Sequence, residues 1–313
     1  MRVKHYLYGE GWASEPFSNN GMTFIKVNFA YETKTFIYPQ AFNKGILIEI
    51  KEKQPVVKPL YKISEQLTNS SDLESILIKY DLDFLNKLKL SFVIKESIPI
   101  VWFGDIDAYL ESNKRILTIG LNPSEQEFLS KSGDSLFDFG SQRFDLIDLD
   151  DGNRLNHLKK TLSNYFKINP YNWFKKYNKL LSVVDCSYGC KEWDSTIYNN
   201  TAIHIDIYSA IATSPTWGKL SKNQKDQLKN LDLFKQLFNY LNPDVVLISV
   251  NKQVFEEIFY KWKLIDSKKF PGNNYINIYK YLDKTLFLGT NMQGIPFGGI
   301  NEISAKEFIK NYL

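Results

Sequence analysis

The stretch Arg115-Ile-Leu-Thr-Ile-Gly-Leu-Asn-Pro-Ser124 decides the predicted fold class. Its first half is an apolar run typical of a buried strand, whereas Gly120 to Ser124 consists of turn-forming residues. Helix-compatible residues resume at Glu125. In an open α/β sheet, ligands bind at the carboxyl ends of the strands, so this polar turn is a candidate site. The alternative interpretation is a plain connection between a strand and a loop, because turns are generally rich in such residues.

The bulk composition indicates a globular protein with a mildly basic surface. The 313 residues are 43% hydrophobic and 24% charged, which allows one large domain or two ordinary ones and excludes a disordered chain. The 22 Phe, 19 Tyr and 6 Trp residues can fill a core, and they can also stack on nucleic-acid bases. A net charge of +4 is compatible with a nucleic-acid partner but does not require one.

The cysteines and the apolar segments exclude several classes of protein. Cys186 and Cys190 lack the second ligand pair of a structural zinc site and the four thiolates of an iron–sulfur cluster, so we expect no metal and no cofactor. No stretch approaches the roughly 20 apolar residues of a membrane-spanning helix. The N-terminus has no signal-peptide pattern. We therefore expect a cytoplasmic protein without a membrane partner.

The pattern of predicted elements changes along the chain. Residues 1 to about 60 contain short alternating segments separated by turns, which predicts a small antiparallel sheet, and a capped helix follows at 70–79. From about residue 96, strands at 115–120, 203–212, 244–250 and 284–290 alternate with helices at 153–166, 171–182, 219–241, 251–262 and 303–312. This alternation predicts an α/β fold with a central, mostly parallel sheet flanked by helices. We predict an N-terminal β-rich and helical accessory region at 1–95 and a core domain at 96–313.

Polar residues follow or end all four strands predicted for the core domain. They are Gly120-Leu-Asn-Pro-Ser124 after the first strand, Thr213-Ser-Pro-Thr-Trp-Gly218 after the second, Asn251-Lys-Gln253 after the third and Asn291-Met-Gln-Gly-Ile295 after the fourth. Two of the strands stop at an asparagine, and the last turn is shaped by glycine and carries two apolar side chains.

This order of motifs resembles the uracil-DNA glycosylase superfamily, especially its mismatch-specific uracil/thymine branch. That family has Gly-x-Asn-Pro after its first core strand, and a closing loop that begins with His or Asn and carries an apolar wedge. The resemblance covers about residues 96–313. It implies a uracil-DNA glycosylase-like sheet, a DNA partner and a cofactor-free reaction that hydrolyses the N-glycosidic bond of a flipped-out base and leaves an abasic site.

The resemblance implies catalytic roles for three residues. Asn122 would hold the attacking water by its side-chain carbonyl, although an amide deprotonates water poorly. Asn291 would donate a hydrogen bond to a carbonyl oxygen of the departing base and so stabilise its charge. Asp206, which shares a strand face with His204, is either an additional catalytic acid or a satisfied buried carboxylate. The plain interpretation of both asparagines is turn formation.

Other residues are expected to bind the flipped base. They are Gly120, Leu121, Pro123 and Ser124 of the first turn, Phe139 and Phe144 as stacking partners, and Ser209 in the second strand. The family has a uracil-reading asparagine where this chain has Tyr208-Ser209. That departure indicates a base other than uracil.

A further set is expected to contact DNA. It comprises Met292, Gln293, Gly294 and Ile295 of the closing loop together with Lys219 and Lys222. Met292 and Ile295 are candidate wedges that fill the gap left by a flipped base, and the lysines would meet phosphates. The alternatives are that the apolar pair packs into the core under the loop and that the lysines form an ordinary solvated helix face.

We therefore predict a monofunctional DNA glycosylase. Its base is either a modified pyrimidine, such as the glucosylated hydroxymethylcytosine of phage DNA excised in antiviral defence, or uracil excised in repair. The alternative function is non-catalytic binding of single-stranded or damaged DNA by stacking and charge. A nucleoside hydrolase acting on free nucleosides is a third possibility.

Overall fold

The chain divides into two compact units, Met1–Lys58 and Pro59–Leu313. A computed structural model describes residues 2–5, 8–29, 32–44, 46–49, 72–95, 97–128, 143–144, 153–194, 196–292 and 294–313. The sequence placed a boundary after residue 95, whereas the boundary between the compact units follows residue 58. The helix at 73–87, assigned to the accessory region on sequence, therefore belongs to the second unit.

The N-terminal unit is an antiparallel sheet with a small core of its own. Its strands are β1 (Arg2–His5), β2 (Gly9–Ala13), β3 (Phe17–Asn19), β4 (Met22–Phe29), β5 (Thr33–Ile37) and β6 (Leu47–Glu49), and a helical turn α1 (Gln40–Asn43) precedes β6. The sheet order is β3-β4-β2-β1-β6, with β5 paired to β4. Val3, Ile25, Val27 and Leu47 are buried, because every second residue of a strand points to the same face. The β-rich character predicted for this region is confirmed.

The second unit contains a six-stranded sheet with helices. Its helices are α2 (Leu73–Lys87), α3 (Ile106–Glu111), α4 (Arg154–Ser163), α5 (Tyr165–Ile168), α6 (Lys175–Leu181), α7 (Lys222–Leu228), α8 (Leu231–Leu241), α9 (Lys252–Ile258) and α10 (Glu302–Lys310). Its strands are β7 (Ile116–Gly120), β8 (Cys186–Ser187), β9 (Asn200–Thr201), β10 (Ile203–Asp206), β11 (Val245–Ile248), β12 (Lys263–Phe270), β13 (Asn274–Tyr281), β14 (Lys284–Gly289), β15 (Asn291–Met292) and β16 (Ile295–Pro296).

The six-stranded sheet is mixed, so the prediction of a mostly parallel, uracil-DNA glycosylase-like sheet is wrong. Its order is β10-β7-β11-β14-β13-β12. The pairs β10–β7, β7–β11 and β11–β14 are parallel, whereas β14–β13 and β13–β12 are antiparallel. The difference arises at residues 263–281, where two consecutive strands form a hairpin that extends the sheet. Ile276 and Ile278 are fully buried and alternate with half-buried neighbours, so this segment carries the two-residue period of a strand.

The helix predicted at 219–241 is two helices. Ser221 caps the first, α7, in a reciprocal pair of hydrogen bonds with Gln224. The backbone is extended at Lys229, and the Asn230 side chain then accepts a hydrogen bond from the Leu233 amide to begin α8. The buried face of α8 carries Leu233, Phe234, Leu237 and Leu241, a spacing that places all four against the core.

The register of the parallel strands sets where a site can form. Gly120 of β7 is paired with Asp206 of β10, and Ile119 with Ile248 of β11. Ile248 is paired in turn with Leu288 of β14. Because parallel strands end at the same edge, the segments that follow these four strands emerge side by side.

Candidate active site

A cleft of about 710 Å³ lies at the carboxyl ends of the four parallel strands. Each strand end contributes to its wall: Gly120 to Ser124 after β7, Asp206 and Thr216 to Gly218 after β10, Ser249 to Asn251 after β11, and Asn291, Gly294 and Ile295 after β14. The structure therefore brings the three predicted catalytic residues, Asn122, Asp206 and Asn291, into one cleft. Gly120, Leu121, Pro123 and Ser124 line it with them.

Gly120 gives the cleft room for two polar side chains. A Cβ atom at this position would clash with Oδ1 of Asp206 and lie 2.8 Å from Nε2 of His204. The glycine of the Gly-Leu-Asn-Pro-Ser turn is thus required by close approach of neighbouring groups. Its lack of a side chain allows both polar groups of β10 to lie against the end of β7.

Asn122 presents an oriented carbonyl oxygen. Its Nδ2 donates to the backbone carbonyls of Pro123, at 2.7 Å, and Ile211, at 3.1 Å. Both partners are acceptors, so the amide group cannot be reversed without losing both bonds. Its Oδ1 is buried and has no hydrogen-bond partner among the described residues. A buried oxygen of this kind is ready to accept a hydrogen bond from a ligand or a water in the cleft.

Asp206 is buried at the cleft wall beside His204. Its side chain is 6% exposed, and Oδ1 lies 3.6 Å from Nε2 of His204. The other ring nitrogen of His204 lies 2.8 Å from Oγ1 of Thr118, which is 2.5 Å from the Tyr188 hydroxyl. This hydrogen-bonded chain fixes the imidazole ring. Among the described residues, the polar neighbour of the Asp206 carboxylate is this imidazole ring. The two interpretations made from the sequence, an additional catalytic acid and a satisfied buried carboxylate, both stay predictions.

Glu127 is a cleft residue that the sequence interpretation missed. It ends the 3-10 turn Glu125–Glu127, its side chain is 5% exposed, and it lines the cleft with Asn122. Its Oε2 accepts a hydrogen bond from the Tyr165 hydroxyl at 2.6 Å, and Arg143 lies 3.7 Å away. Its position five residues after Asn122 was the one signal in the sequence that it could lie in the cleft. A Glu-Gln-Glu run, however, is typical of the exposed first turn of a helix.

Burial raises the pKa of Glu127 from 4.5 to about 7. The hydrogen bond from Tyr165 and the charge of Arg143 lower this pKa, whereas the negative charge of Asp206 raises it further. Burial has the largest effect on this pKa because an ionised carboxylate is costly in an apolar site. Glu127 is consequently present in both protonation states near neutral pH, which is the condition that favours acid–base catalysis.

Ser249 connects the closing loop to the sheet. Its hydroxyl donates to the Thr290 carbonyl at 3.0 Å and accepts from the Phe297 amide at 3.2 Å. Its carbonyl accepts from Nδ2 of Asn291 at 3.0 Å. Across the cleft, Nε1 of Trp173 donates to the Gly294 carbonyl at 2.6 Å. The loop is therefore held from both sides, and one amide hydrogen of Asn291 remains for a ligand.

Met292 and Ile295 lie on the surface of this loop. They are directly opposite each other in the two-stranded pair β15–β16, so their side chains share one face. Met292 is 46% exposed and Ile295 is 44% exposed. Neither is packed into the core, as the alternative interpretation would require. Gln293 lies outside the described residues.

Aromatic side chains other than those predicted form the cleft wall. Tyr171, Trp173, Phe174 and Trp217 line it. Phe144 is instead buried, with its ring stacked on Phe128 at 5.7 Å, so it packs beneath the cleft and is not available to a base. The correction has a physical cause, because a phenylalanine pattern in sequence does not distinguish a core ring from a stacking ring. Phe139 lies outside the described residues.

Of the remaining predicted residues, one is buried away from the cleft and two are exposed. Ser209 is buried, and its hydroxyl accepts a hydrogen bond from the Ile211 amide at 3.0 Å, so it does not line the cleft. Lys219 and Lys222 are exposed beside Trp217 in sequence. Trp217 itself is stacked on Tyr208 with ring centroids 5.0 Å apart, and Lys225 lies over the Trp217 ring at 5.9 Å. Lys219 and Lys222 are thus exposed lysines that closely follow the aromatic cleft residue Trp217 in the chain.

Comparison of the chain with protein-family models, curated proteins and solved structures found no match. Among the described residues, no three His, Cys, Asp or Glu side chains are placed to hold a metal ion. The helices that the structure describes include none long and apolar enough to cross a membrane. A function for this chain has to be argued from the chemistry of the cleft.

Replacement of Gly120 by alanine tests the close packing at the end of β7. The new methyl group would clash with Asp206 and His204, and overpacking of this kind costs about 1–3 kcal/mol. We expect the free energy of unfolding, measured by urea denaturation, to fall by that amount. Gly218→Ala is the matched control, since no atom lies within 4 Å of its Cβ position. Equal midpoints for the two variants would contradict the packing described for Gly120.

Replacement of Glu127 by glutamine tests the burial of its carboxyl group. The folded protein holds this proton up to about pH 7, whereas the unfolded chain releases it near its ordinary value of 4.5. Wild-type stability should therefore fall as the pH rises between these values, by roughly 3 kcal/mol from this group. Glutamine does not titrate, so the difference in unfolding free energy between variant and wild type should change by about that amount across the window. Parallel pH profiles for the wild type and Glu127→Gln would refute the buried titration.

Proposed function

We propose that the protein is a monofunctional DNA glycosylase that hydrolyses the N-glycosidic bond of a flipped-out base. One observation carries the proposal: the carbonyl oxygen of Asn122, which has no hydrogen-bond partner among the described residues, shares one cleft with the carboxylate of Asp206 and the amide of Asn291. Hydrolysis of this bond needs a positioned water, an anion near the developing sugar cation and a donor for the departing base. These three side chains supply those functions.

The reaction would proceed through an oxocarbenium-like sugar, as in other glycoside hydrolysis. Asn122 accepts a hydrogen bond from the attacking water and fixes its position. The carboxylate of Asp206 stabilises the cation and takes a proton from the water as it adds, which an amide cannot do. Asn291 donates to a carbonyl oxygen of the base. Oriented groups of this kind stabilise the charge that develops in the transition state.

The form of the cleft supports a nucleobase as its ligand. Its volume falls within the range of about 300–1,000 Å³ that is usual for small-molecule sites, and five aromatic residues among those described line it: Phe103, Tyr171, Trp173, Phe174 and Trp217. Trp173 and Tyr171 are candidate stacking partners for a base, since every base has a face that stacks. A base within a duplex must be flipped out to reach such a cleft.

Surface features around the cleft support DNA over a free nucleoside. The exposed pair Met292 and Ile295 on the closing loop has the position and apolar character of a wedge that replaces a flipped base. Lys219 and Lys222, which are exposed and closely follow the cleft residue Trp217 in the chain, can meet phosphates. A nucleoside hydrolase would need neither feature. The proposal places the protein and its DNA in the cytoplasm.

The base we propose is a modified pyrimidine, with uracil as the second candidate. The support comes from the segment after β10, where the Ser209 hydroxyl accepts a hydrogen bond from a backbone amide and provides no side-chain amide to read uracil. The motif resemblance to uracil-DNA glycosylases supports the same chemistry at the site, although the arrangement of the sheet does not match the expected one.

Replacement of Asn122 by alanine tests the proposed activity. Removing the water-positioning carbonyl should lower the single-turnover rate of abasic-site formation by about 100-fold or more, as is typical for loss of an oriented catalytic donor or acceptor. Abasic sites are measured as alkali-sensitive breaks in oligonucleotides that carry uracil, cytosine, 5-hydroxymethylcytosine or glucosylated 5-hydroxymethylcytosine. Asn301→Ala is the control, because this asparagine caps α10, and its loss should cost only about 1 kcal/mol of stability.

Two outcomes would contradict the proposal. If Asn122→Ala forms abasic sites as fast as the wild type, Asn122 does not position the water. If the wild type binds these oligonucleotides and releases no base, the protein is a non-catalytic DNA-binding protein.

A further inference from the structure

Glu127 is a buried carboxyl group at the cleft wall that the proposed reaction leaves unused. Its side chain is 5% exposed, yet it reaches the same cleft as Asn122 and Asp206. A buried carboxyl group is costly to keep, because its ionised form loses hydration. Its position beside two other polar groups calls for a specific explanation.

The surroundings of Glu127 distinguish its two carboxyl oxygens. Oε2 accepts the hydrogen bond of the Tyr165 hydroxyl, and the oxygen of Tyr165 accepts in turn from the Tyr171 amide at 3.0 Å. This second bond determines the direction in which Tyr165 donates. Arg143, 3.7 Å from Oε2, is held by the Asn169 carbonyl at 2.6 Å. Among the described residues, Oε1 has no hydrogen-bond partner, so a proton on this carboxyl group resides on Oε1.

The two carboxyl groups of the cleft have different environments. Asp206 lies beside the ring of His204, whereas Glu127 faces Tyr165, Arg143 and the negative charge of Asp206. Burial and the charge of Asp206 favour the protonated form of Glu127, and Tyr165 and Arg143 oppose it. Paired carboxyl groups whose environments separate their protonation states are the usual arrangement of an acid and a base in one site.

The cleft contains an independent sign of a ligand. The buried oxygen of Asn122 has no hydrogen-bond partner in the described structure, so it is an acceptor for which a bound molecule can supply the donor. Glu127 lines the same cleft, and its protonated form offers a proton there.

We propose that Glu127 is the general acid of the reaction and that the substrate class is a base bearing an exocyclic amine, of the cytosine or adenine type. This inference rests on the proposed glycosylase function and extends it. Uracil-like bases leave as anions whose charge is spread over two carbonyl groups. An amino-bearing base is a poorer leaving group and departs readily only when it is protonated, so a buried acid would serve this class and not the uracil class.

The step balances with the groups present. The bond between C1′ and the base nitrogen breaks with its electron pair passing to the base, and the proton of Glu127 Oε1 is transferred to the base. Water held by Asn122 forms the new bond to C1′, and its proton passes to Asp206. The products are the neutral base and the abasic sugar hydroxyl. Exchange of the Asp206 proton with solvent and reprotonation of Glu127 restore the site.

The experiment compares leaving groups that differ in their need for a proton. Matched oligonucleotides carry 5-fluorouracil, which leaves as a stable anion, or cytosine, 5-hydroxymethylcytosine or adenine at the same position. Single-turnover release of each base is measured for the wild type, Glu127→Gln and the control Glu125→Gln. Glu127→Gln should lose at least about 100-fold in release of an amino-bearing base, and should change release of 5-fluorouracil by less than about threefold.

A pH profile of the wild type provides a test that does not depend on folding of the variant. Release of the amino-bearing base should fall about tenfold per pH unit above pH 7, because the reactive form is protonated, whereas release of 5-fluorouracil should not show this fall. Equal loss on both classes of base in Glu127→Gln, no loss on either, or the same pH profile for both classes would overturn the role of Glu127.

The outcomes separate this inference from the proposed function. Release of 5-fluorouracil without release of any amino-bearing base overturns the acid and the substrate class while leaving a glycosylase. Release of no base from any oligonucleotide by the wild type overturns the glycosylase function, and the inference with it.

Discussion

The parallel register of β10, β7, β11 and β14 is the constraint on which the site depends. Gly120 is paired with Asp206, and the adjacent Ile119 with Ile248, so turns that are far apart in sequence emerge at one edge. The antiparallel hairpin of β12 and β13 extends the sheet beyond β14 and leaves this edge unchanged. The cleft is therefore a property of four strands, and its chemistry comes from whatever residues follow them.

The polar groups of the cleft are held at a cost to stability. An unpartnered buried acceptor such as Oδ1 of Asn122 costs about 1–3 kcal/mol, and a buried carboxylate without a full set of partners costs more. Gly120 is required to admit Asp206 and His204, although glycine weakens a strand. Neighbouring parts of the fold compensate through a large aromatic and aliphatic core. Costs of this kind concentrated in one cleft are expected of a functional site.

The sequence predicted the parts of the site that are local. The apolar run before Gly120 and the turn after it indicated β7 and its cleft segment, and the asparagine after β14 indicated the closing loop. It did not predict the hairpin at 263–281, whose alternating pattern is interrupted by lysines and by exposed apolar residues such as Leu264. Glu127 was missed because its burial depends on Tyr165, 38 residues away, and no local pattern reports such a contact. Phe144 was misplaced for the same reason, since packing against Phe128 decides its role.

We propose that this cleft hydrolyses the bond between a base and its sugar. In the decisive measurement, the purified protein is incubated in H₂¹⁸O with the base-substituted oligonucleotides, and both products are analysed by mass spectrometry. We expect an intact, unlabelled free base and an abasic sugar that carries one ¹⁸O atom, since water attacks C1′. Release of a base that itself carries ¹⁸O, or a broken strand without any released base, would contradict it.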